Sequence, residues 1–424
     1  MWTIAASVLA GAVGGAIAPA AGAALAWSPC ADATSLSCAP VSVPLDRSGR
    51  VPGSITLSVE RRAAGAAPSD TAVVALAGGP GQAADPLASQ LAGVIAPALT
   101  SRDLLVFDQR GTGTSAPLSC PILQDEAALQ SASEAALRSL IELCALQIGP
   151  ARGAFTTQES VEDIEAIRHQ AGYKKLVLYG TSYGTKVALE YAERYPQHVE
   201  SLVLDSVVAT NGPEPLGVDR LQAIAPVLAE LCSGGACAGI GADPLGQLAT
   251  LVSRLRRHPL SGYAYDGAGK RHRVSIGELE LLGILEGGDL NPALRALLPA
   301  AVQSALKGDA GPLLRLNLIA DGLVPSVPVK PKAETERSLQ EENNALFLTT
   351  SCEETAFPWQ RAANSQARLT EASAALKALP SADFYPFDAE AASASSLLPV
   401  CATWPDQSSA PPPATALPNV PTLI

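Results

Sequence analysis

The residues with the clearest chemical signature lie at Gly180–Gly184, which read GTSYG and match the pattern G-x-S-x-G. The apolar run Leu176–Tyr179 precedes them and predicts a strand, and helical spacing follows from about Tyr183. A serine at a sharp strand-to-helix turn exposes its hydroxyl at the carboxyl edge of a sheet, provided that the residues two before and two after it are small. We therefore predict that Ser182 is a catalytic nucleophile that attacks a carbonyl carbon.

A glycine-rich segment, Gly78–Gly81, follows the apolar run Ala72–Leu76. Glycine lets the backbone approach a ligand closely, and a loop in this position can donate an N–H group to the oxyanion that forms during attack. The alternative is a tight turn without a chemical role. We predict that the oxyanion hole is formed by the backbone N–H group of Tyr183 and that of Gly79 or its neighbour Gly81.

A third motif, Asp108–Gly113, reads DQRGTG and follows the apolar run Leu104–Phe107. Its charged residues have either a catalytic or a structural role. We expect Asp108 and Arg110 to tie neighbouring loops together rather than to act on a substrate.

Strand and helix signals alternate along the first half of the chain. A fourth apolar run covers Leu202–Leu204, and residues 55–60 alternate apolar and polar side chains, as a half-buried strand does. Between the runs, Thr156 and Glu159 predict a capping box that begins a helix. This alternation predicts an α/β fold with a mostly parallel sheet and flanking helices.

From residue 211 to residue 344 the apolar residues recur at helical spacing, and we predict a helical cap with no strands. Ser275 and Glu278 predict a capping box there, and Asn291-Pro292 predicts a helix start. After the cap, residues 346–350 predict a strand and residues 371–379 a helix. Residues 419–424 resemble the opening of a buried strand.

Composition narrows the function classes. The chain has 424 residues, 47% of them hydrophobic, with 29 lysines and arginines against 41 aspartates and glutamates, a formal net charge of −12. Such a chain can bury a core, which excludes disorder. Because duplex binding needs a basic face that displaces counterions, we expect no nucleic-acid partner.

The N-terminus and the cysteines favour export. Residues 1–26 carry no charged side chain, and Ala24–Ala26 read as a cleavage site, so we predict a signal peptide cleaved near Ala26; a membrane anchor is the alternative. After cleavage we expect no stable membrane span. Eight cysteines follow, which allow 105 pairings. The four local pairs suggest disulfides rather than a zinc site: Cys30–Cys38, Cys120–Cys144, Cys232–Cys237 and Cys352–Cys401.

The ordered segments AGGPG, FDQRGTGTS, LYGTSYGT and LVLDSV make the chain resemble the proline-iminopeptidase branch of the α/β-hydrolases, and within it the secreted tripeptidyl-aminopeptidase-like exopeptidases. The resemblance implies an α/β-hydrolase fold and a cofactor-free serine peptidase. It also implies a peptide substrate with a free N-terminus, and it favours the four disulfides. Ala77 stands where the narrower iminopeptidase pattern has histidine, so a strict proline preference does not follow.

The resemblance also implies acidic residues near the cap that hold the α-ammonium group of the substrate. Glu353 and Glu354, which follow Cys352, are the candidates for substrate binding. The alternative is a solvated pair beside a disulfide.

A serine nucleophile needs a histidine base and an orienting carboxylate, which in this fold follow the serine in the order Asp, then His. None of His198, His258 and His272 has a context typical of the base, and His169 precedes the serine. We therefore expect both partners beyond Ile424, in a chain shortened at its C-terminus that lacks the last strands and turns over poorly.

The predicted organisation has four parts: a signal peptide at 1–26, a hydrolase core at 27–210, a cap at 211–344, and an incomplete return to the core at 345–424. Two other functions stay open: an esterase or lipase on the same fold, and a non-catalytic pseudo-enzyme.

Overall fold

The computed structural model describes residues 24–31, 36–65, 69–124, 134–212, 214–324, 342–405 and 416–424. Most of the predicted signal peptide, residues 1–23, therefore lies outside the described residues.

The core is one sheet of eight strands, numbered in chain order: β1 (Ser28–Pro29), β2 (Ser37–Pro44), β3 (Ser54–Arg62), β4 (Thr71–Leu76), β5 (Leu104–Phe107), β6 (Lys175–Thr181), β7 (Val199–Asp205) and β10 (Thr422–Leu423). Their order across the sheet is β1-β2-β3-β5-β4-β6-β7-β10. Strands β1, β2, β3 and β5 pair antiparallel, and β5, β4, β6, β7 and β10 pair parallel. The predicted α/β fold and all four apolar strands are confirmed.

The central strands are apolar throughout because both faces of the sheet are covered. Every residue of β4 and β5 is buried. In β4, Val74 and Leu76 pack into a cluster with the helices on one face, whereas Val73 and Ala75 belong to a separate cluster on the other face. Parallel strands need such double cover, since helical crossovers lie on their faces.

Helices α1 (Ala88–Val94), α3 (Thr157–Ala171) and α4 (Tyr183–Arg194) flank this sheet, whereas α2 (Glu134–Ile148) packs into a separate cluster with the helices of the inserted segment. Thr156 caps α3 as predicted, because its hydroxyl accepts a bond from the Glu159 amide at 3.3 Å. The Glu159 side chain instead pairs with Arg47, at 2.5 Å. Short 3₁₀ segments lie at Asp85–Leu87, Ala96–Thr100, Pro121–Gln124, Gly149–Ala154, Pro196–His198, Ser233–Gly235 and Ser381–Phe384.

The inserted segment is helical, but the prediction that no strand interrupts it is wrong. Its helices are α5 (Val218–Leu231), α6 (Pro244–Leu255), α7 (Glu278–Leu290), α8 (Pro292–Leu306) and α9 (Gly311–Ala320). An antiparallel hairpin, β8 (Leu260–Tyr265) with β9 (Arg271–Ile276), separates α6 from α7.

Two predicted helix starts in the cap have different outcomes. Asn291 caps α8 as expected, with its side-chain oxygen 3.1 Å from the Leu294 amide. The capping box at Ser275 and Glu278 is wrong, because Ser275 lies in β9. Half of such a box forms two residues later, where the Glu280 carboxylate accepts from the Gly277 amide at 2.8 Å, and glycine has no side chain that could complete it.

The predicted strand at 346–350 is also wrong. These residues lie in α10 (Asn344–Glu354), whose N-cap Asn343 accepts from the Leu346 amide at 3.0 Å. The predicted helix at 371–379 is confirmed but starts earlier, as α11 (Ser365–Ala378), and is followed by α12 (Ala389–Ala394) and α13 (Leu398–Cys401). Near residue 424, β10 forms beside β7 but is exposed rather than buried.

Disulfides hold several of these elements together, and all four expected pairs form: Cys30–Cys38, Cys120–Cys144, Cys232–Cys237 and Cys352–Cys401. The last joins α10 to α13. Among the described helices, none is both long enough and apolar enough to cross a bilayer.

Candidate active site

Ser182 lies at the sharp turn that the sequence predicts, between β6 and α4. Its φ of 53° and ψ of −121° fall in a region that residues with a side chain rarely adopt. The amide of Ser182 donates to the Asp205 carbonyl at 2.8 Å, which ties the turn to the end of β7. The serine is half-buried and stands directly before the first turn of α4, where backbone N–H groups have no acceptor within the helix.

The two outer glycines of the motif are required by close packing. A Cβ atom on Gly180 would lie 2.5 Å from the Gly184 carbonyl oxygen, and one on Gly184 would lie 2.3 Å from the Leu76 carbonyl oxygen. Neither contact can be relieved by a flexible side chain, because both oxygens belong to the backbone. The start of α4 therefore presses against β6 and β4, and this packing positions Ser182.

The loop after β4 reaches Ser182 through Gly78, a residue that the sequence reasoning did not single out. A Cβ on Gly78 would lie 3.2 Å from the Ser182 Cβ. Gly79, with φ 103°, follows it and lines a cavity beside the turn. Gly81 lies farther along the loop, where its carbonyl accepts from the Asn343 amide at 2.8 Å. Of the two predicted glycine donors, Gly79 is thus the one at the cavity.

Asp108 and Arg110 have the structural contacts that the sequence reasoning favoured. Asp108 accepts bonds from the amides of Ala84 and Thr114, each at 2.8 Å, and so joins two loops. Arg110 is buried and forms a bidentate pair with Asp163, with both contacts at 2.7 Å. Neither residue lines the cavity beside Ser182.

The cavity beside Ser182, lined by Gly79 and Tyr183, has a volume of about 170 Å³. We call it the elbow cavity. Gly79, Pro80 and Tyr183 form the wall nearest the serine, and α10 forms the opposite wall. Apolar and polar groups both line the space, which suits a small organic ligand. The further lining residues are Lys186, Val208, Thr210, Asn211, Gly212, Phe347, Thr350, Ser351, Glu354, Thr355 and Leu397.

Glu354 is the charged group on the α10 wall. Its carboxylate receives bonds from the Thr157 hydroxyl at 2.7 Å and the Lys186 ammonium at 2.5 Å, and also from the Thr157 amide. Glu353 points elsewhere: it is fully buried, accepts from the Trp404 indole at 3.1 Å, and lies 3.3 Å from Arg152. The structure thus separates the two predicted substrate-binding glutamates, and Glu354 alone lines the cavity.

Lys186 joins Glu354 to a second carboxylate, that of Glu190, at 2.9 Å. One cation therefore faces two acidic groups. Burial, opposed by Lys186 and reinforced by Glu354, raises the pKa of Glu190 to about 7. Burial, followed by the charge of Glu354, raises the pKa of Tyr183. The sequence reasoning missed Lys186 and Glu190, although their spacing of four places them on one face of α4.

The four histidines make their contacts away from Ser182. His198 Nδ1 lies 3.2 Å from Glu165, and His272 Nε2 lies 2.7 Å from Asp266. His169 lies in the last turn of α3, and the amide of His258 bonds to the Arg254 carbonyl at 2.9 Å. Among the described residues, no hydrogen bond connects a histidine to the Ser182 hydroxyl.

Residues 71–228 match the family described as alpha/beta hydrolase fold, which covers the strands around Ser182 and the start of the cap. Over these residues the chain has the α/β-hydrolase fold. The tripeptidyl aminopeptidase of Streptomyces lividans is 32% identical over 215 residues, which is 46% of this chain and 40% of that protein. The proline iminopeptidase of Neisseria meningitidis serogroup A is 26% identical over 163 residues, 38% of this chain and 41% of that protein.

A third relative, the serine protease Hip1 of Mycobacterium bovis, is 36% identical over 93 residues, 21% of this chain and 18% of that protein. The matched part of this chain thus spans less than half the length of each of these relatives. Among solved structures, the proline iminopeptidase of Mycobacterium smegmatis aligns at 21% identity over 52% of this chain and 62% of that chain, with a TM-score of 0.28.

Proposed function

We propose that this α/β-hydrolase is a secreted serine exopeptidase that releases amino acids or short peptides from free N-termini. The observation that carries the proposal is the conformation of Ser182 beside Gly78, with Gly79 and Tyr183 at the adjoining cavity. The peptidase names of the relatives support a peptide substrate. The four disulfides support an oxidising compartment outside the cytoplasm.

In the proposed reaction, Ser182 Oγ attacks the carbonyl carbon of the scissile peptide bond and loses its proton to a histidine base, which a serine nucleophile requires. None of the four histidines of this chain, all of which lie among the described residues, bonds to Ser182 in the structure. The backbone N–H group of Tyr183 and that of Gly79, with Gly81 as the predicted alternative to Gly79, stabilise the oxyanion. The C–N bond then breaks, the amine leaves with a proton, and water hydrolyses the acyl-enzyme.

Glu354 gives the proposal its preference for a free amine. The cluster of Glu354, Lys186 and Glu190 contains two carboxylates and one ammonium group, so it carries excess negative charge when both acids are ionised. A substrate ammonium group that enters the elbow cavity would be attracted to this wall. A blocked N-terminus lacks that charge and would not be attracted to the half-buried Glu354 carboxylate.

The test uses a tripeptide p-nitrophenyl ester with a free amine, the same ester with an acetylated amine, and mass spectrometry of the protein after quenching. We expect an acyl adduct on Ser182 with the free ester, at least tenfold less with the acetylated ester, and none in Ser182→Ala. Glu354→Gln should abolish the discrimination, whereas Glu230→Gln, at an exposed position on α5, should preserve it. Equal acylation by both esters would instead favour an esterase, and no adduct would favour a pseudo-enzyme.

A further inference from the structure

One stretch of the chain carries a charge opposite to that of the molecule. Residues 254–273 contain six lysines and arginines and one aspartate, within a chain whose formal net charge is −12. The structure places this stretch at the end of α6 and on the β8–β9 hairpin of the cap. None of its residues lines the elbow cavity.

The hairpin has two unlike faces. On the inner face, Ala264, Val274 and Ile276 are buried, and Gly262 packs against Leu314 of α9. The outer face is exposed to solvent. There Tyr263 lies opposite Arg273, and Tyr265 lies opposite Arg271, as the strand register requires.

The outer face is aromatic as well as cationic. Tyr263 and Tyr265 are each 56% exposed, and the Arg271 guanidinium stacks 4.4 Å from the Tyr263 ring centre. Lys270 in the turn and Arg273 are also exposed. We call these five residues the cationic tyrosine face. Next to the turn, Leu323 is 45% exposed, and its carbonyl accepts from the Gly267 amide at 3.2 Å.

Among the described residues, no carboxylate forms an ion pair with Lys270, Arg271 or Arg273. Asp266 already accepts bonds from the Lys270 amide at 2.8 Å and from His272 at 2.7 Å. Glu278 and Asp388 pair with Arg256, which is not part of the face, at 2.5 and 2.9 Å. With the three exposed cations Lys270, Arg271 and Arg273 against the one carboxylate of Asp266, the exposed face carries a net positive charge.

We propose that the cationic tyrosine face docks the cap onto an anionic lipid bilayer. Arginine and lysine are attracted to acidic headgroups, and tyrosine rings settle at headgroup level. The exposed Leu323 adds an apolar side chain that a bilayer would bury and that a soluble polyanion would leave exposed to water. The docking is peripheral, with the hairpin lying on the surface.

The test measures co-sedimentation of the full chain with vesicles of equal parts phosphatidylglycerol and phosphatidylcholine, and with phosphatidylcholine alone. We expect salt-sensitive binding to the anionic vesicles and none to the neutral ones. Arg271→Gln with Arg273→Gln should lower the partition coefficient about 25-fold, at about fivefold for each charge removed. The matched control, Arg62→Gln with Lys175→Gln, removes two exposed charges from the main sheet and should change the coefficient less than twofold.

A second variant separates a bilayer from a soluble polyanion. Tyr263→Ser with Tyr265→Ser keeps the charge and should still weaken vesicle binding, while binding to inorganic polyphosphate stays unchanged. Equal vesicle binding by the wild type and the double-arginine variant would overturn the proposal. So would vesicle binding that is indifferent to the tyrosine substitutions. Thermal melting of each variant checks the fold, and all four substituted side chains of the hairpin are exposed.

Discussion

Replacement of Ser182 by glycine should stabilise the protein relative to replacement by alanine. The serine has φ 53° and ψ −121°, where a Cβ atom is strained and glycine is not. Such backbone strain costs on the order of 1–3 kcal/mol. Both substitutions remove the hydroxyl, so their difference isolates the Cβ. We expect Ser182→Gly to exceed Ser182→Ala by about 1–2 kcal/mol in the free energy of unfolding, after allowance for the entropy of glycine.

The assay is urea unfolding followed by circular dichroism, and Ser139 provides the matched control. Ser139 is exposed within α2 at ordinary helical backbone, so there Ser139→Ala should be more stable than Ser139→Gly by about 1 kcal/mol. The sign of the glycine-to-alanine difference therefore reverses between the two sites. If Ser182→Ala proves as stable as Ser182→Gly, the turn is relaxed and our account of how the serine is presented is refuted.

Three further predictions follow from other contacts. Gly184→Ala should lower the free energy of unfolding by at least about 2 kcal/mol and slow acylation of Ser182, because the added Cβ meets the Leu76 carbonyl. The control Gly283→Ala, where nothing lies within 4 Å of the added Cβ, should be neutral or stabilising. Equal urea midpoints for these two variants would contradict the prediction. Arg110→Ala should cost about 2–3 kcal/mol in the same assay, because it removes the bidentate bonds to the buried Asp163 carboxylate, which keeps only its bond to Arg47 at 2.7 Å. A loss under about 1 kcal/mol would argue against the loop-tying role. The pKa of Glu190 is about 7 in the folded protein and 4.5 ordinarily, so the folded state binds a proton that the unfolded state releases between these values. The free energy of unfolding should therefore fall by about 2–3 kcal/mol from pH 4.5 to pH 7, relative to Glu190→Gln. If the free energies of unfolding of the two proteins change in parallel with pH, the raised pKa is excluded.

The sequence predicts the core well because its signals are local and redundant. The apolar strands, the glycines of the serine motif and the cap at Thr156 each act through neighbours in the chain. The strand predicted at 346–350 failed because a short apolar run has no distinguishing period. The Asn343 cap just before it was the missed signal for a helix.

The cap hairpin was also predictable in part. Tyr263 and Tyr265 alternate with small residues, and Asp266-Gly267 is a typical turn pair, but helical patterns on both sides obscured them. The charge cluster of Glu354, Lys186 and Glu190 could not be predicted from local sequence patterns. It joins α10 to α4 across more than 160 residues, and only tertiary packing brings those side chains together.

The most direct test of a positioned nucleophile is the rate at which a fluorophosphonate labels Ser182 in the native protein. We predict that Ser182 is labelled at least ten times faster than any other serine, and that urea or Gly184→Ala abolishes the selectivity. Uniform slow labelling of many serines, or selective labelling at another position, would contradict the account.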